Sequence, residues 1–194
     1  MHSKQRKNLT TQYRSLIPES WKDFENLFGP KGACAGCWCM WWRLKRSEFD
    51  KQKGEQNKQT MKEIVDSGEI PGIMVYHNDQ PIAWCSIAPR ENFSLLDRSR
   101  ILKAIDDEPV WSIVCLFVKK EFRRKGVSSD LLKTAIKYAR EYGAKIIEGY
   151  PIDTQTNKYP DVFAATGLYS IFKDIGFEEC ARRSKTRPIM RLFL

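Results

Sequence analysis

The spacing of hydrophobic and polar positions along the chain predicts a mixed α/β protein. Short apolar runs rich in β-branched and aromatic residues predict strands over residues 72–77, 81–88, 111–118, 144–150, 177–181 and 188–194. Amphipathic stretches predict helices over residues 20–29, 49–67, 128–142 and a segment that ends at Ile175. Residues 37–43 are rich in aromatic side chains and are also predicted to form a strand, with Cys37, Cys39 and Trp41 facing inward.

Composition is that of an ordinary globular protein with one core. The chain has 194 residues, of which 42% are hydrophobic and 29% are charged. Residues 1–15 are polar and basic, so we expect a flexible arm there and a single domain over residues 16–194. No apolar run reaches membrane-spanning length and the start lacks the apolar core of a signal peptide, so we expect a cytoplasmic protein with no membrane partner.

The formal net charge of +9 calls for an acidic partner or ligand. Most basic residues are scattered, but the cluster over residues 119–125 lies where a buried strand leads into an amphipathic helix. The first N–H groups of a helix lack internal partners, and the helix dipole favours negative charge at that end. Together with Arg123, Arg124 and Lys125, this junction predicts a site for a ligand that carries a pyrophosphate.

Residues 123–128 have the sequence RRKGVS. This stretch resembles the Gln/Arg-x-x-Gly-x-Gly/Ala pattern that lies between a strand and a helix in the GNAT superfamily of N-acetyltransferases. The preceding Leu116, Phe117 and Val118 are similar to the family's strand that pairs with pantetheine, and Gly176-Phe177 is similar to its late helix-Gly-Phe element. The resemblance covers roughly residues 70–194.

The resemblance implies a mostly antiparallel central sheet flanked by helices, here with an N-terminal helical and aromatic extension. It also implies acetyl-CoA as the cofactor and an amine of a small molecule or protein as the acceptor. The acetyl group would move by direct nucleophilic attack, with no covalent enzyme intermediate required. The cofactor-binding residues that it implies are Leu116, Phe117, Val118, Arg123, Arg124, Lys125, Gly126, Val127, Ser128 and Ser129.

At two positions this sequence lacks the acid or base residue that members of the family use in catalysis. Phe172 stands where many members have a tyrosine that protonates the leaving thiolate, and Ser112 stands where one branch has a basic glutamate. The candidates for catalytic acid or base are therefore Tyr169, Glu148 and Tyr150. Core packing remains the alternative for the tyrosines, and a salt bridge for Glu148. A backbone N–H in a bulged part of the strand near Phe117 and Val118 would stabilise the oxyanion.

The cysteines are expected to be reduced thiols without metal. Cys34, Cys37 and Cys39 have the spacing of metal ligands, but a thiolate zinc site usually needs a fourth ligand, which Cys85 or His77 would have to supply. The aromatic segment beside them is expected to line the acceptor pocket, and the candidate substrate-binding residues are Trp41, Trp42 and Arg43.

Two other functions remain open at this point. The departures at Phe172 and Ser112 suggest a catalytically weak sensor that binds acetyl-CoA, and the charge and basic arm suggest a nucleic-acid-associated protein. We favour the enzyme and do not expect nucleic acid as a partner. The expected assembly is a monomer or a homodimer, and the sequence does not identify the acceptor.

Overall fold

A computed structural model describes residues 11–153 and 165–194. Its centre is a seven-stranded sheet, whose strands are β1 (Gln12–Ser15), β2 (Gly72–His77), β3 (Gln80–Pro89), β4 (Trp111–Val118), β5 (Ile146–Gly149), β6 (Glu178–Arg182) and β7 (Pro188–Phe193). The strand order is β1-β2-β3-β4-β5-β7-β6, and every neighbouring pair is antiparallel except β4 and β5. The predicted mixed, mostly antiparallel sheet is confirmed.

Six α-helices of the described residues pack around this sheet. They are α1 (Trp21–Phe28), α2 (Arg46–Gln52), α3 (Glu55–Asp66), α4 (Ser94–Arg98), α5 (Val127–Glu141) and α6 (Tyr169–Ile175). The predicted helix over residues 49–67 is two helices, because α2 ends at Gln52 and α3 begins at Glu55. Among the described residues no helix is long and apolar enough to cross a membrane.

Both faces of the sheet are buried, so its central strands are apolar on both sides. Ile73 and Val75 of β2 face the core that contains α5 and α6, whereas Met74 and Tyr76 face the core that contains α1 and α3. Trp84 of β3 is fully buried in this second core. The alternation places one helical layer on each face of the sheet.

The expectation of a flexible arm over residues 1–15 is wrong for its last part. Residues Gln12–Ser15 form the edge strand β1, which pairs with β2 from Gln12 opposite Tyr76 to Ser15 opposite Ile73. Residues 1–10 of the predicted arm lie outside the described residues. The folded sheet therefore begins before residue 16. That residues 16–194 form a single domain remains a prediction.

The strand predicted over residues 37–43 is absent from the described structure. The segment after α1 instead forms a π-type turn over Gly32–Gly36, and further turns follow it. Trp38 and Cys39 have φ values of 44° and 61°, which a strand residue does not adopt. Trp38, Cys39 and Met40 are all buried, so the predicted alternation of inward and outward side chains is wrong as well.

Candidate functional site

A cleft of about 390 Å³ opens where β4 separates from β5. The two parallel strands pair from Trp111 opposite Ile147 to Ile113 opposite Gly149, and the later residues of β4 are not paired with β5. The cleft is lined by Phe28, Ala33, Cys34, Cys37, Cys39, Cys115, Leu116, Phe117, Val118, Arg123, Arg124, Ser128, Ala165, Gly167, Leu168 and Ile171. It joins the free end of β4 to the start of α5.

One end of the cleft is the N-terminus of α5. Gly126 is the N-cap and has a φ of +87°, and a Cβ placed there would have no atom within 4 Å. The N–H groups of Ser129 and Asp130 donate to Gly126 O at 3.0 and 3.2 Å. The N–H groups of Val127 and Ser128 donate to no backbone oxygen within the described ranges, as expected for a first helical turn.

Three of the basic and small residues predicted at this end line the cleft, namely Arg123, Arg124 and Ser128. The Arg123 Nε–H group donates to Val118 O at 3.0 Å, which connects the basic loop to the end of β4. Lys125 does not line the cleft, and its Nζ lies 5.5 Å from the centre of the Phe122 ring. Because Ser129 N–H is already used within the helix, its predicted role as a backbone donor to phosphate is not favoured.

The other end of the cleft is the free edge of β4. Leu116 N–H donates to Ala165 O at 2.6 Å across this edge. The three residues of this strand that were predicted to bind the cofactor, Leu116, Phe117 and Val118, line the cleft. A bulge does interrupt β4, but it lies earlier than expected. Cys115 pairs with Ser86 and Ile113 pairs with Ile87, so Val114 is the extra residue.

A wall of cysteines closes the cleft on the side of α1. Cys34, Cys37 and Cys39 come from the turns after α1, and Cys115 comes from β4 just after the bulge. The turn can form because Gly32 and Gly36 have positive φ values, and a Cβ on either would lie 2.4 Å from another atom. The fold thus brings Cys39 and Cys115, which are 76 positions apart in the sequence, into the same wall of the cleft.

Cys39 has hydrogen-bond donors on two sides. Trp84 Nε1–H donates to Cys39 Sγ at 3.2 Å, and the thiol of Cys115, which lines the same cleft, acts on the pKa of Cys39 as a second donor. These hydrogen bonds, the one from Cys115 foremost, hold the pKa of Cys39 below its usual value although burial opposes them. Burial and then the charge of Cys39 raise the pKa of Cys37 to about 11.

Glu148 and Tyr150, two of the candidate catalytic residues, lie in a buried polar network and do not line the cleft. Glu148 accepts hydrogen bonds from Arg90 Nη1 and Arg191 Nε, both at 2.8 Å, and from the Tyr150 hydroxyl at 2.6 Å. The hydroxyl groups of Ser112 and Tyr150 lie 2.9 Å apart. The salt bridge considered for Glu148 is present, and burial raises the pKa of Tyr150 far above its usual value.

Tyr169, the third candidate, lies at the start of α6 and does not line the cleft. The Arg182 guanidinium lies 5.6 Å from the centre of its ring, and its hydroxyl hydrogen-bonds to Glu179. Phe172, one turn later, is fully buried. A Cβ on Gly149 would lie 2.2 Å from Phe172 Cε1, so that glycine makes room for the ring.

The predicted substrate residues Trp41, Trp42 and Arg43 are also outside the cleft lining. Trp41 packs edge-on against Phe49, and Trp42 packs against the core beside α4. The side chain of Arg43 is 5% exposed, and its Nη1 lies 2.6 Å from Glu69 Oε1. Its Nε and Nη2 atoms have no hydrogen-bond partner in the part of the chain that the structure describes.

Sequence reasoning missed the residues that contact the cleft from distant elements. Phe28 of α1, Leu168 and Ile171 form apolar walls, and Cys115 was not connected with the earlier cysteines. The spacing of these residues in the sequence does not predict that they lie together, because they belong to separate elements of the fold. Among residues 11–153 and 165–194, no group of three or more His, Cys, Asp or Glu side chains could hold a metal ion.

Comparisons with known proteins agree with this geometry. The chain superposes on a GNAT-family acetyltransferase of Listeria monocytogenes with a TM-score of 0.60, 10% identity and coverage of 98% of both chains. It superposes on PaiA N-acetyltransferase of Thermoplasma acidophilum, solved in complex with coenzyme A, with a TM-score of 0.54, 14% identity and coverage of 96% and 100%. These likenesses concern the fold. No curated protein matches the sequence.

The sequence itself matches a family model. The model of the acetyltransferase (GNAT) family matches residues 38–158, which is more than half of the chain. This range contains Cys39, β4 and the start of α5, and it therefore includes the β4 edge and the α5 end of the cleft. The chain belongs to the acetyltransferase (GNAT) family.

Proposed function

We propose that this protein transfers an acetyl group from acetyl-CoA to an amine of a small molecule or protein by direct nucleophilic attack. The observation that carries the proposal is the continuity of one cleft from the N-terminus of α5 to the free edge of β4. The N-terminus of α5 can bind a diphosphate, and the free edge of β4 can pair with an extended pantetheine arm that carries a thioester. The coenzyme A bound by the PaiA protein of similar fold is consistent with this proposal.

The start of α5 would hold the diphosphate. Gly126 presents open space where other residues carry a Cβ, and Val127 and Ser128 offer backbone N–H groups backed by the helix dipole. Arg123 and Arg124 add positive charge at the cleft lining. Backbone donors and cations thus act on the same anion, so binding does not depend on any one side chain.

The edge of β4 would hold the thioester. Successive N–H groups of a strand point to opposite sides, and that of Leu116 points away from β3 to Ala165. The N–H of Val118 therefore points to the same open edge, whereas that of Lys119 turns back to Ile82 of β3. We assign the Val118 N–H as the donor to the oxyanion that forms when the amine attacks the thioester carbon.

Proton transfer would rely on solvent. No carboxylate, imidazole or phenol of the described residues lines the cleft. The amine would enter in its neutral form or lose its proton to water, and the coenzyme A thiolate leaves without a strong acid. Tyr169, Glu148 and Tyr150 stay candidates from the sequence, but their hydrogen bonds to other side chains favour structural roles.

The decisive experiment compares two glycines of one helix. Gly126 and Gly143 flank α5 with φ values of +87° and +83°, and both have open space at the Cβ position. Gly126→Val and Gly143→Val therefore carry similar backbone strain, but only the first places a side chain in the proposed diphosphate site. We expect calorimetry to show no acetyl-CoA binding for Gly126→Val and near-normal binding for Gly143→Val.

Turnover is measured separately by release of free thiol with a panel of small amines, polyamines and peptide N-termini. Thiol release that depends on the amine supports the enzyme. Tight acetyl-CoA binding without turnover on any amine would instead indicate a sensor. Equal affinity of both glycine variants would contradict the diphosphate site.

A further inference from the structure

Three thiols of the cleft wall form a cluster that the proposed transfer reaction does not use. Cys37, Cys39 and Cys115 line the cleft next to Phe117 and Val118. Cys39 is 3% exposed, and Cys37 and Cys115 are partly buried. A reactive cysteine needs a stabilised thiolate, a path for the reagent and, for reversible oxidation, a second thiol nearby. The cluster supplies all three.

The surroundings of Cys39 favour a thiolate. Trp84 is fully buried and its indole N–H, which can only donate, lies 3.2 Å from Cys39 Sγ. The positive charge of Arg43, which also pairs with Glu69 at 2.6 Å, makes a smaller contribution in the same direction.

Cys115 is placed to be the second thiol. Cys39 and Cys115 both line the cleft and belong to the same buried cluster as Trp84. Interaction with Cys39, together with burial, raises the pKa of Cys115 well above its usual value. The pKa of Cys39 is lowered and that of Cys115 is raised, so Cys39 is the better nucleophile of the two. Cys37 has its pKa raised to about 11, so it is the poorer nucleophile of the two cysteines on this turn.

The backbone of the turn also departs from relaxed geometry at this point. Ala33, Ala35, Trp38 and Cys39 all have positive φ values, which non-glycine residues seldom adopt. Such strain is typical of functional sites, where the surrounding structure holds it in place. Here Trp38 is held by stacking on Phe28, with ring centres 5.7 Å apart.

We propose that Cys39 and Cys115 are a site of reversible oxidation, at which a hydroperoxide converts the two thiols into a disulfide across the cleft wall. The thiolate of Cys39 attacks the terminal peroxide oxygen, which forms a sulfenic acid and releases hydroxide. Cys115 then loses its proton, and its sulfur displaces the oxygen of the sulfenic acid, which leaves as water. One hydrogen peroxide is reduced to two waters, and two thiols lose two electrons.

Oxidation would also act on acetyl transfer, and this part of the inference rests on the proposed function. The disulfide would connect the turn after α1 to β4 at a position one residue before Leu116. It would change the shape of the cleft wall beside Leu116, Phe117 and Val118, where the pantetheine arm would lie. We therefore expect the oxidised protein to bind acetyl-CoA more weakly, and reduction by dithiothreitol to restore binding.

The test uses the full chain, reduced, freed of reductant and exposed to a few equivalents of hydrogen peroxide. Remaining thiols are alkylated under denaturing conditions, and peptides are mapped by mass spectrometry. We expect a 2 Da loss in the intact mass and one disulfide, between Cys39 and Cys115. In Cys115→Ala, dimedone should label Cys39, because the sulfenic acid then has no partner. Cys180→Ala, a change of an exposed cysteine on β6, should behave as the unchanged protein.

Mapping on the unchanged protein decides the proposal even if a variant fails to fold. Six alkylated thiols after peroxide treatment would overturn it, and so would a disulfide that joins any other pair. Binding of acetyl-CoA by the reduced protein is measured in parallel. Absence of that binding would contradict the proposed function, whereas the mapped disulfide would still report on the oxidation site.

Discussion

At the scale of single residues, Tyr169 lies one helical turn before Phe172, the position where the resemblance implies a catalytic acid. Its contacts, however, lie with β6. Arg182 lies over its ring, and Glu179, whose pKa is lowered first by Arg182, also accepts a hydrogen bond from it. A hydroxyl that is engaged in this way is held by the exposed ion pair and is not directed to the cleft lining.

We therefore expect Tyr169→Phe to lower kcat by less than about 10-fold, because a group outside the cleft does not donate the proton in the transition state. Steady-state thiol release at saturating acetyl-CoA measures this. Tyr142→Phe, at an exposed position after α5, is the matched control. A loss of about 100-fold or more in Tyr169→Phe alone would identify Tyr169 as the general acid.

At the scale of elements, the buried network around Glu148 connects three strands and a loop. Arg90 follows β3, Glu148 lies on β5, and Arg191 lies on β7 and also pairs with Asp106. The side chain of Glu148 is 1% exposed and those of Arg90 and Arg191 are 11% and 4% exposed. The carboxylate therefore compensates two cations that have little access to water.

Removing this one charge should destabilise the fold. We expect Glu148→Gln to lower the free energy of unfolding by up to about 3–5 kcal/mol, because it removes the buried carboxylate shared by two guanidinium groups. Their other partners, Asp97 and Asp106, are much more exposed and compensate them less. Asp79→Asn, which breaks the exposed pair with Arg14, should change it by less than about 1 kcal/mol. Urea unfolding measures both. Unchanged stability of Glu148→Gln with a large loss of kcat would support the basic role considered for Glu148.

Most elements could be predicted from the sequence because they are local. The repeat of apolar positions in α5 and the continuous apolar run of β4 persist long enough to be specific, and Gly126 marks the junction between them. The turns over residues 32–43 could not be predicted in this way. Trp38 favours strands by type, yet its φ is 44°, because packing on Phe28 determines it.

The candidate site divides in the same way. The diphosphate end is one continuous stretch of sequence, so the resemblance identified it residue by residue. The opposite wall is assembled from α1, the cysteine turns and residues 165–171, which come together only in the folded protein. β1 was missed because a four-residue edge strand with alternating exposure resembles a polar tail in sequence.

At the scale of the whole molecule, the family match and the sheet have different extents. The match covers residues 38–158, whereas the sheet extends from Gln12 in β1 to Phe193 in β7. Strands outside the match close both sides of the sheet and bury the network around Glu148. The net charge is +9, and among the described residues the cations that line the cleft are Arg123 and Arg124.

The buried tyrosines make alkaline stability a property of the entire fold. Burial raises the pKa of Tyr76, Tyr138 and Tyr150 above 10, and for Tyr76 a hydrogen bond to Asp23 at 2.8 Å adds to the effect. In the unfolded chain these phenols ionise near pH ~10. Above that pH the unfolded state has lost protons that the folded state keeps, so the free energy of unfolding must fall as pH rises.

Each retained proton contributes a slope of about 1.4 kcal/mol per pH unit between the unfolded and folded pKa values. Tyr76→Phe removes one such proton. It should be less stable than the unchanged protein at pH 7, since the hydrogen bond to Asp23 is lost, but its stability should fall less steeply above pH 10. Urea unfolding from pH 7 to 11.5 would show the two curves converging. Parallel curves would mean that Tyr76 has the same pKa in the folded and unfolded states. Burial of Tyr76 would then not contribute to the loss of stability at high pH.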